Sequence, residues 1–346
     1  MQQADAQKEN FPLTEIGVVV IGRNEGDRLD RSLSSVLENG SQVVYVDSGS
    51  TDQSLEIAQS LAVETVALDS ARPFTAARAR NAGFRYLTST HPSLEFIQFV
   101  DGDCEIASGW IHAAAKYMAS HPEVGVVCGE LTERDAKSSI YKRLCAMEWK
   151  GPIGWINKTG GNALVRAHAL KIEGGYDEQL VAGEEAEMCA RLRGAGWEIC
   201  RIAHAMAVHD ADIDSFGQWW RRSVRSGYAY TVGVDYHRPL RHRHQVREAT
   251  SILVWAGVLP LFIALLAWPT NGLSLLLLGL YGLLWCRIAW TRRRQDDMAG
   301  DAAIYATFCV IAKFAQLIGS VIYLCGRLTG RSTGLIQTKA GHQELP

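Results

Sequence analysis

The rhythm of apolar and polar positions along the chain changes near residue 250. Before it, short continuous apolar runs alternate with stretches where apolar residues recur every three or four positions, the pattern of buried strands joined by amphipathic helices. Ile16 to Ile21 predicts a first buried strand, and Gly22, Arg23, Asn24 and Glu25 the turn after it. A helix is expected from about Asp27, with Leu29, Leu33, Val36 and Leu37 on one face. Val43 to Val46 predicts the next strand, ending at Asp47, and Ser48 to Asp52 a polar loop into a helix that begins near Gln53. Phe96 to Val100 predicts another buried strand, with Asp101, Gly102 and Asp103 directly behind it. Such alternation describes one α/β domain, expected over residues 13–235 after a polar, flexible segment 1–12.

Beyond 250 the pattern is that of a membrane. Thr250 to Trp268 and Leu273 to Trp290 are almost uncharged, and each is long enough to cross a hydrocarbon core. Pro269, Thr270, Asn271 and Gly272 form the turn of the resulting transmembrane hairpin, 250–290. Arg238, Arg241, Arg243 and Arg247 in the basic linker 236–249 precede it, and Arg292, Arg293 and Arg294 follow, with no Lys or Arg in the turn. Both ends are therefore expected on the cytoplasmic side of the inner membrane, together with the large domain. Met1 to Asn10 has no apolar core of the signal-peptide kind. In the last stretch, 291–346, the segment Ala302 to Cys325 is apolar but carries Lys313, Gln316 and Ser320, followed by Arg327 and Arg331. Those spacings keep the polar groups near one helical face, which fits an amphipathic helix on the inner leaflet ahead of a cytoplasmic tail; a third crossing is the alternative.

The formal net charge of -2 argues against a nucleic-acid partner. Eight cysteines without a CxxC pair read as scattered reduced thiols rather than a zinc site. The candidate chemistry lies at the strand ends. Asp101 and Asp103 project from the carboxyl end of a buried strand, where paired oxygens suit a divalent cation with a phosphate on its far side. By itself Asp-Gly-Asp is also an ordinary turn sequence.

The neighbouring segments give it a context. Val-Ile-Gly-Arg-Asn-Glu at 20–25, Val-Asp-Ser-Gly-Ser-Thr-Asp at 46–52, Ala-Arg-Asn-Ala-Gly at 79–83, Asp-Gly-Asp at 101–103, Gly-Gly-Asn-Ala-Leu at 160–164, Gly-Gly-Tyr-Asp-Glu at 174–178 and Gly-Glu-Glu-Ala-Glu-Met-Cys-Ala-Arg-Leu at 183–192 follow one another in order. In this the chain resembles the family 2 glycosyltransferases of the GT-A fold, over the whole of its large domain. The resemblance implies a nucleotide-sugar donor, with a UDP-sugar favoured, and a Mn²⁺ or Mg²⁺ cofactor. It places Asn24, Glu25, Asp47, Arg80, Asn81 and Asp101 at the nucleotide, and Asp103, Asp101 and His209 at the metal.

Each position also has a plainer reading. Asp47 can accept from a base imide or close an Asx turn, while Asp52 is the better helix cap. Arg80 can neutralise a diphosphate or pair with a sheet-edge carboxylate. A lone histidine such as His209 is usually structural. Glu185 stands where the family has the Asp of its Glu-Asp pair, and the resemblance makes it the catalytic base, with Glu184 behind it; two acids opening a helix also simply suit its dipole. Asn162, and Gln218, Arg221 and Arg222 of a partial match to Gln-x-x-Arg-Trp, are expected at acceptor or diphosphate. Arg222 replaces the closing Trp, which puts processivity in doubt. The implied activity is inverting transfer to a membrane-associated, lipid-linked glycan acceptor in envelope or exopolysaccharide synthesis. A sugar nucleotidyltransferase and a non-catalytic nucleotide-sugar-binding membrane protein are the alternatives.

Overall fold

The computed structural model describes residues 15–38, 42–236 and 243–329. The segment 1–12, the tail from 330 with Arg331, and His237, Arg238, Arg241 and His242 of the basic linker lie outside the described residues. In chain order the elements are β1 (Ile16–Gly22), α1 (Asp27–Leu37), β2 (Gln42–Asp47), α2 (Ser54–Ser60), β3 (Glu64–Ala67), α3 (Ala76–Thr90), β4 (Phe96–Asp101), β5 (Cys104–Ile106), α4 (Trp110–Ser120), β6 (Val124–Glu133), α5 (Ile140–Trp149), β7 (Gly154–Trp155), β8 (Ala163–Arg166), α6 (Ala167–Ile172), α7 (Glu184–Gly194) and β9 (Glu198–His209). There follow α8 (Phe216–Tyr236), α9 (Arg243–Ile252), α10 (Leu259–Ala267), α11 (Gly279–Arg293) and α12 (Ala299–Thr329). Two compact units result. One holds the chain up to Arg134 with Lys150–Gln179 and Glu184–Asp210; the other holds Asp135–Trp149, Leu180–Gly183 and the chain from Ala211. Helices α5 and α8, inside the stretch 13–235 expected as one domain, thus group with the second unit.

The first unit is built on one sheet in the order β3-β2-β1-β4-β8-β6-β9-β5, with β7 also on β9. β3, β2, β1 and β4 are parallel because a helix returns the chain after each of the first three strands. Strand order reverses at β1, whose neighbours are β2 on one side and β4 on the other, and such a switch point opens a ligand crevice at the carboxyl ends. Register brings Asp47 opposite Gly22, and Asp101 opposite Ile21. The long apolar strands are buried on both faces, which is why they read as continuous runs rather than alternating ones. Helix α1 buries Leu29, Leu33 and Val36 as its periodicity predicts, whereas Leu37 is exposed at the helix end, about a quarter-turn off that stripe.

Among the described residues of the second unit, three helical stretches are long and apolar enough to cross a membrane: Val246–Ala267, Leu273–Arg293 and Ala299–Thr329. Asn271 and Gly272, both at positive φ, make the turn between the first two. In the third, the polar stripe is turned onto neighbouring helices. Lys313 Nζ lies 3.1 Å from Glu248 Oε2, Gln316 Nε2 donates to Ser226 Oγ at 3.4 Å, and Thr231 and Ser320 hydroxyls bond at 2.8 Å. A Cβ on Gly227 would lie 2.0 Å from the Gln316 carbonyl, and one on Gly319 1.9 Å from that of Val224, so α8 and α12 meet at a distance only glycines permit. Along its other side α12 runs antiparallel to α11: Trp285 donates to Thr307, Tyr281 stacks on Phe314, and Arg292 lies over Tyr305.

Candidate active site

Three parallel strands deliver three polar loops to one edge of the sheet. The loop after β1 is tied to the loop after β2 by backbone capture: Asn24 Oδ1 accepts from Thr51 N–H at 2.7 Å, Ser50 Oγ accepts from Asn24 N–H at 3.0 Å, and Asp52 Oδ2 accepts from Gly26 N–H at 3.0 Å. Asn24 holds a positive φ of 54°, which asparagine tolerates better than most residues. Asp52 also accepts from Ser54 N–H, closing the start of α2. Asp47 is 2% exposed and turned inward. Its Oδ1 accepts from the Tyr45 hydroxyl, and its Oδ2 from the N–H groups of Gly49 and Ser50, each at 2.9 Å. Burial and the Asp47 charge hold the Tyr45 phenol protonated far above its ordinary range, so it remains a donor. Glu25, also buried, pairs with Arg28.

Arg80 knots the next group together. α3 carries it under the sheet edge at 2% exposure, where its guanidinium reaches Asp101 Oδ1 at 2.8 Å, Glu184 Oε1 at 2.9 Å and Glu185 Oε1 at 3.4 Å. One buried cation thus spans the Asp-Gly-Asp turn and the two acids that open α7. Burial alone would disfavour the charged guanidinium, but the three carboxylates outweigh it and hold Arg80 protonated. The acids respond unequally. Burial, then the neighbouring Glu184 charge, push Glu185 up to about 7, with Arg80 opposing the shift. Glu185 keeps 21% of its side chain exposed against 5% for Glu184, so of the pair it is the one open to a ligand.

Gly161 makes this knot possible, since a Cβ there would lie 2.3 Å from an Arg80 nitrogen and 2.5 Å from Asp101 Oδ2. Asn162 follows on the buried side, accepting from Asp101 N–H at 3.1 Å and donating to Cys104 Sγ at 3.3 Å. Asn81 is likewise a fastener here: it donates to the Tyr176 carbonyl at 2.7 Å and accepts from the Tyr176 N–H at 2.8 Å, which fixes the Gly-Gly-Tyr turn.

The third group stands at the corner where β5 and β6 meet β9. Cys104 pairs with His209 across β5–β9, and Glu133 with His209 across β6–β9. His209 Nδ1 is 2.7 Å from Glu133 Oε2, and its Nε2 is 3.8 Å from Asp103 Oδ1. Burial lowers the proton affinity of the imidazole, but Glu133 and then Asp103 more than compensate, and the net shift is upward. Asp103, Cys104 and His209 offer ligand atoms all within 4.8 Å of one another. A hard divalent cation fits the oxygen and imidazole of this set, with Glu133 fixing the tautomer that leaves Nε2 to the ion. The Cys104 thiol fits less well, because burial and the neighbouring aspartates hold it protonated. Asp101 turns to Arg80 rather than to this corner. Glu133 had no motif to mark it in the sequence; its one signal was an acid closing an apolar run.

Gln218, Arg221 and Arg222 lie on α8, in the second unit. Gln218 Oε1 accepts from Ser215 N–H at 2.9 Å while Ser215 Oγ accepts from Gln218 N–H at 3.3 Å, a capping box that starts the helix. Arg222 pairs with Glu148 at 2.7 Å and lies over Trp149, and Arg221 is exposed.

A mixed sheet whose parallel half carries a switch point, acids at its carboxyl edge and a carboxylate–imidazole corner make up a GT-A-like domain. Residues 17–169 match the family model described as Glycosyl transferase family 2. This match, over a little under half of the chain, supports a family 2 glycosyltransferase domain. It is 26% identical over 268 residues to the pre-mycofactocin glycosyltransferase of Mycobacterium tuberculosis (strain CDC 1551 / Oshkosh), covering 73% of this chain and 52% of that protein. It is 27% identical over 202 residues to the succinoglycan biosynthesis protein ExoA of Rhizobium meliloti (strain 1021), covering 53% of this chain and 59% of that protein. The chain thus spans between half and three-fifths of the length of these curated relatives. Among solved structures it is similar to the mannosyltransferase PcManGT of Pyrobaculum calidifontis in complex with GDP-Man and Mn²⁺, with a TM-score of 0.60 at 18% identity over 90% of this chain and 87% of that one. That likeness establishes the fold.

Proposed function

We propose that the protein is a membrane-anchored, metal-dependent glycosyltransferase that moves a sugar from a nucleotide-sugar donor to a lipid-linked glycan acceptor, with inversion at the anomeric carbon. The observation that carries this reading is Arg80, which holds the acid of the donor-side turn, Asp101, and the candidate base, Glu185, on one guanidinium. The family 2 match over residues 17–169 and the PcManGT-like fold support it.

In this mechanism the loops after β1 and β2 frame the nucleotide, with Asn24 and Glu25 beside base and ribose. Asp47 orders the Gly49–Ser50 backbone around the base; a UDP-sugar is the favoured donor. Asp103 and His209 would hold Mn²⁺ or Mg²⁺, which, when bound, offsets the charge of the departing diphosphate. Asp101, paired with Arg80, faces the ribose side of the donor. Glu185 takes the proton from the acceptor hydroxyl as that oxygen attacks the anomeric carbon, and a proton affinity near neutrality suits a base at cellular pH. Asn162 and Asn81 act by holding Asp101 and the 175–176 turn.

The apolar helices support a membrane location, which we take to be the inner membrane, and the arginines flanking the hairpin, Arg292 to Arg294 among them, support a cytoplasmic catalytic domain. Because α12 lies antiparallel against α11 and buries its polar stripe on α8 and α9, we read it as a third crossing in place of the interfacial helix. A membrane-held acceptor shares two dimensions with the enzyme, which raises its effective concentration. The relation to ExoA supports a role in polysaccharide assembly. The test is nucleoside diphosphate release by the purified full chain with Mn²⁺, across UDP-, GDP- and TDP-sugars, with and without a lipid acceptor extract. Release from one donor that is stimulated by the extract supports the proposal. Nucleotide-sugar binding without release under every condition contradicts it and favours a non-catalytic binding protein, while pyrophosphate-dependent nucleoside triphosphate formation favours a nucleotidyltransferase.

A further inference from the structure

The strand ends that form the metal corner each carry a second charged residue, and these come together on its far side. Successive residues of a strand face opposite ways, and the residues that follow Cys104, Glu133 and His209 turn away from the site. Cys104 is followed by Glu105, Glu133 by Arg134, and His209 by Asp210. Arg31 of α1 closes the group: its Nε donates to Glu105 Oε1 and a terminal nitrogen to Asp210 Oδ2, both at 2.7 Å. Arg134 donates to the same Glu105 Oε1, and its Nε lies 3.8 Å from Asp210 Oδ2. Two guanidinium groups therefore bridge two carboxylates, one on β5 and the other just past β9.

The backbone repeats the same linkage. Arg134 N–H donates to the His209 carbonyl at 2.8 Å, and Asp210 N–H to the Asp103 carbonyl at 2.9 Å. Ser35, one helical turn beyond Arg31, accepts from Ile106 N–H at 2.9 Å. Helix α1 is the one that starts at the Asn24–Gly26 loop, so the quartet joins the donor-binding loop to the metal corner through a rigid element.

We infer that Arg31, Glu105, Arg134 and Asp210 form a positioning quartet that fixes Asp103 and His209 at the spacing a divalent cation requires. The four side chains are between about a fifth and two-fifths exposed, so as surface ion pairs they would contribute little to global stability. Their effect falls on ligand geometry instead: β5 is three residues long and, without its pairing partners, would be free to carry Asp103 away from His209. Supporting groups of this kind are worth about 10–100-fold in metal affinity.

The inference rests on the metal reading of the proposed function, and the experiment separates the two. Mn²⁺ binding to the detergent-purified full chain is measured by the loss of the free-ion electron paramagnetic resonance signal, with UDP present, for wild type, Arg31→Met, Arg31→Lys and Arg134→Met, alongside the thermal midpoint of each. Wild type is expected to bind one ion. Arg31→Met and Arg134→Met should weaken binding about 10-fold or more with a midpoint shifted by only a few degrees, and Arg31→Lys, which keeps the charge but loses the two-pronged contact, should fall between. Unchanged Mn²⁺ affinity in both methionine variants overturns the quartet while leaving the metal site standing. Absence of Mn²⁺ binding in the wild type overturns the metal reading itself. If Arg31→Met does not fold, Arg31→Lys and Arg134→Met still decide the matter, because neither removes a contact with the helix core.

Discussion

Replacing Arg80 by Met should move the pH dependence of turnover before it does anything else that is specific to this site. Arg80 lies 3.4 Å from Glu185 Oε1 and nearer to Glu184, at 2.9 Å. A unit-charge pair near 4 Å contributes about 4 kcal/mol at an effective dielectric constant of 20, or about 3 pH units at 1.36 kcal/mol each. Glu184 takes the closer contact and Glu185 is partly open to water, so about half of that, ~1.5 units, is the expected loss. Glu185 stands at about 7 with Arg80 in place. Without it the limb should lie near 8.5, leaving ~3% of the base ionised at pH 7 and lowering the rate about 15-fold. At pH 9.5 that part of the loss should disappear. The assay is sugar transfer at saturating donor and Mn²⁺ from pH 6 to 10, with Arg80→Lys as the charge-retaining control. Removing the cation also strands three carboxylates, at a cost of about 3–5 kcal/mol, so folding is checked by thermal midpoint and the Lys variant carries the comparison if the Met variant fails. A folded Arg80→Met enzyme that is slow but whose limb remains at the wild-type pH would refute the assignment of Glu185 as the base under Arg80's control.

Other expectations follow from the same geometry. Glu133→Gln should weaken Mn²⁺ binding by about 10–100-fold, since a neutral amide no longer favours Nδ1–H and the Nε2 lone pair; titration calorimetry with UDP present reads this directly, and unchanged affinity would remove Glu133 from the site. Mn²⁺ affinity should fall on acidification from a pH above 6.5, because the raised proton affinity of His209 brings protonation, and loss of the Nε2 lone pair, earlier than in a free imidazole; metal binding that is flat between pH 8 and 6 contradicts this. Gly319→Val should separate α8 from α12, since its Cβ would sit 1.9 Å from the Val224 carbonyl, and detergent-resistant folding should drop by several degrees while Gly279→Ala, with open space, changes little. With α12 as a third crossing, a membrane-impermeant maleimide should label Cys325 from the side of the hairpin turn; labelling from the cytoplasmic side alone returns the helix to the interface.

Much of this architecture was legible before any coordinates. The apolar runs at β1, β2 and β4 and the polar residues behind them indicate the parallel half of the sheet and its ligand edge, because buried parallel strands leave no alternation to misread. The ordered strings, from Gly-Arg-Asn-Glu to Gly-Glu-Glu, marked which loops share that edge. What a pattern does not contain is who pairs with whom. Arg80 read as a diphosphate contact or a carboxylate partner until the fold brought Glu184 to it from 104 positions away. Asn81 sits in a motif expected at the nucleotide, yet it clamps the Tyr176 backbone, a contact 95 residues distant. Glu133, Arg134 and Asp210 carry no motif at all; they acquire meaning only from strand register. The polar stripe of α12 was visible as a period, but period alone does not distinguish a face turned to headgroups from one turned to another helix. Gln218 falls within a partial transferase signature, and the Ser215–Gln218 spacing of a helix cap is equally visible in the sequence.

The most direct test of the central claim is Mn²⁺-dependent transfer from the active donor to a lipid acceptor extract by wild type, Glu185→Gln and Asp103→Asn, with donor binding measured on the same preparations. The expected result is that Glu185→Gln binds donor like wild type and transfers at least 100-fold more slowly, as loss of a general base requires, while Asp103→Asn loses the Mn²⁺ dependence of donor binding as well as transfer. Wild-type rates in Glu185→Gln, or Mn²⁺-dependent donor binding that survives in Asp103→Asn, would contradict the site as described.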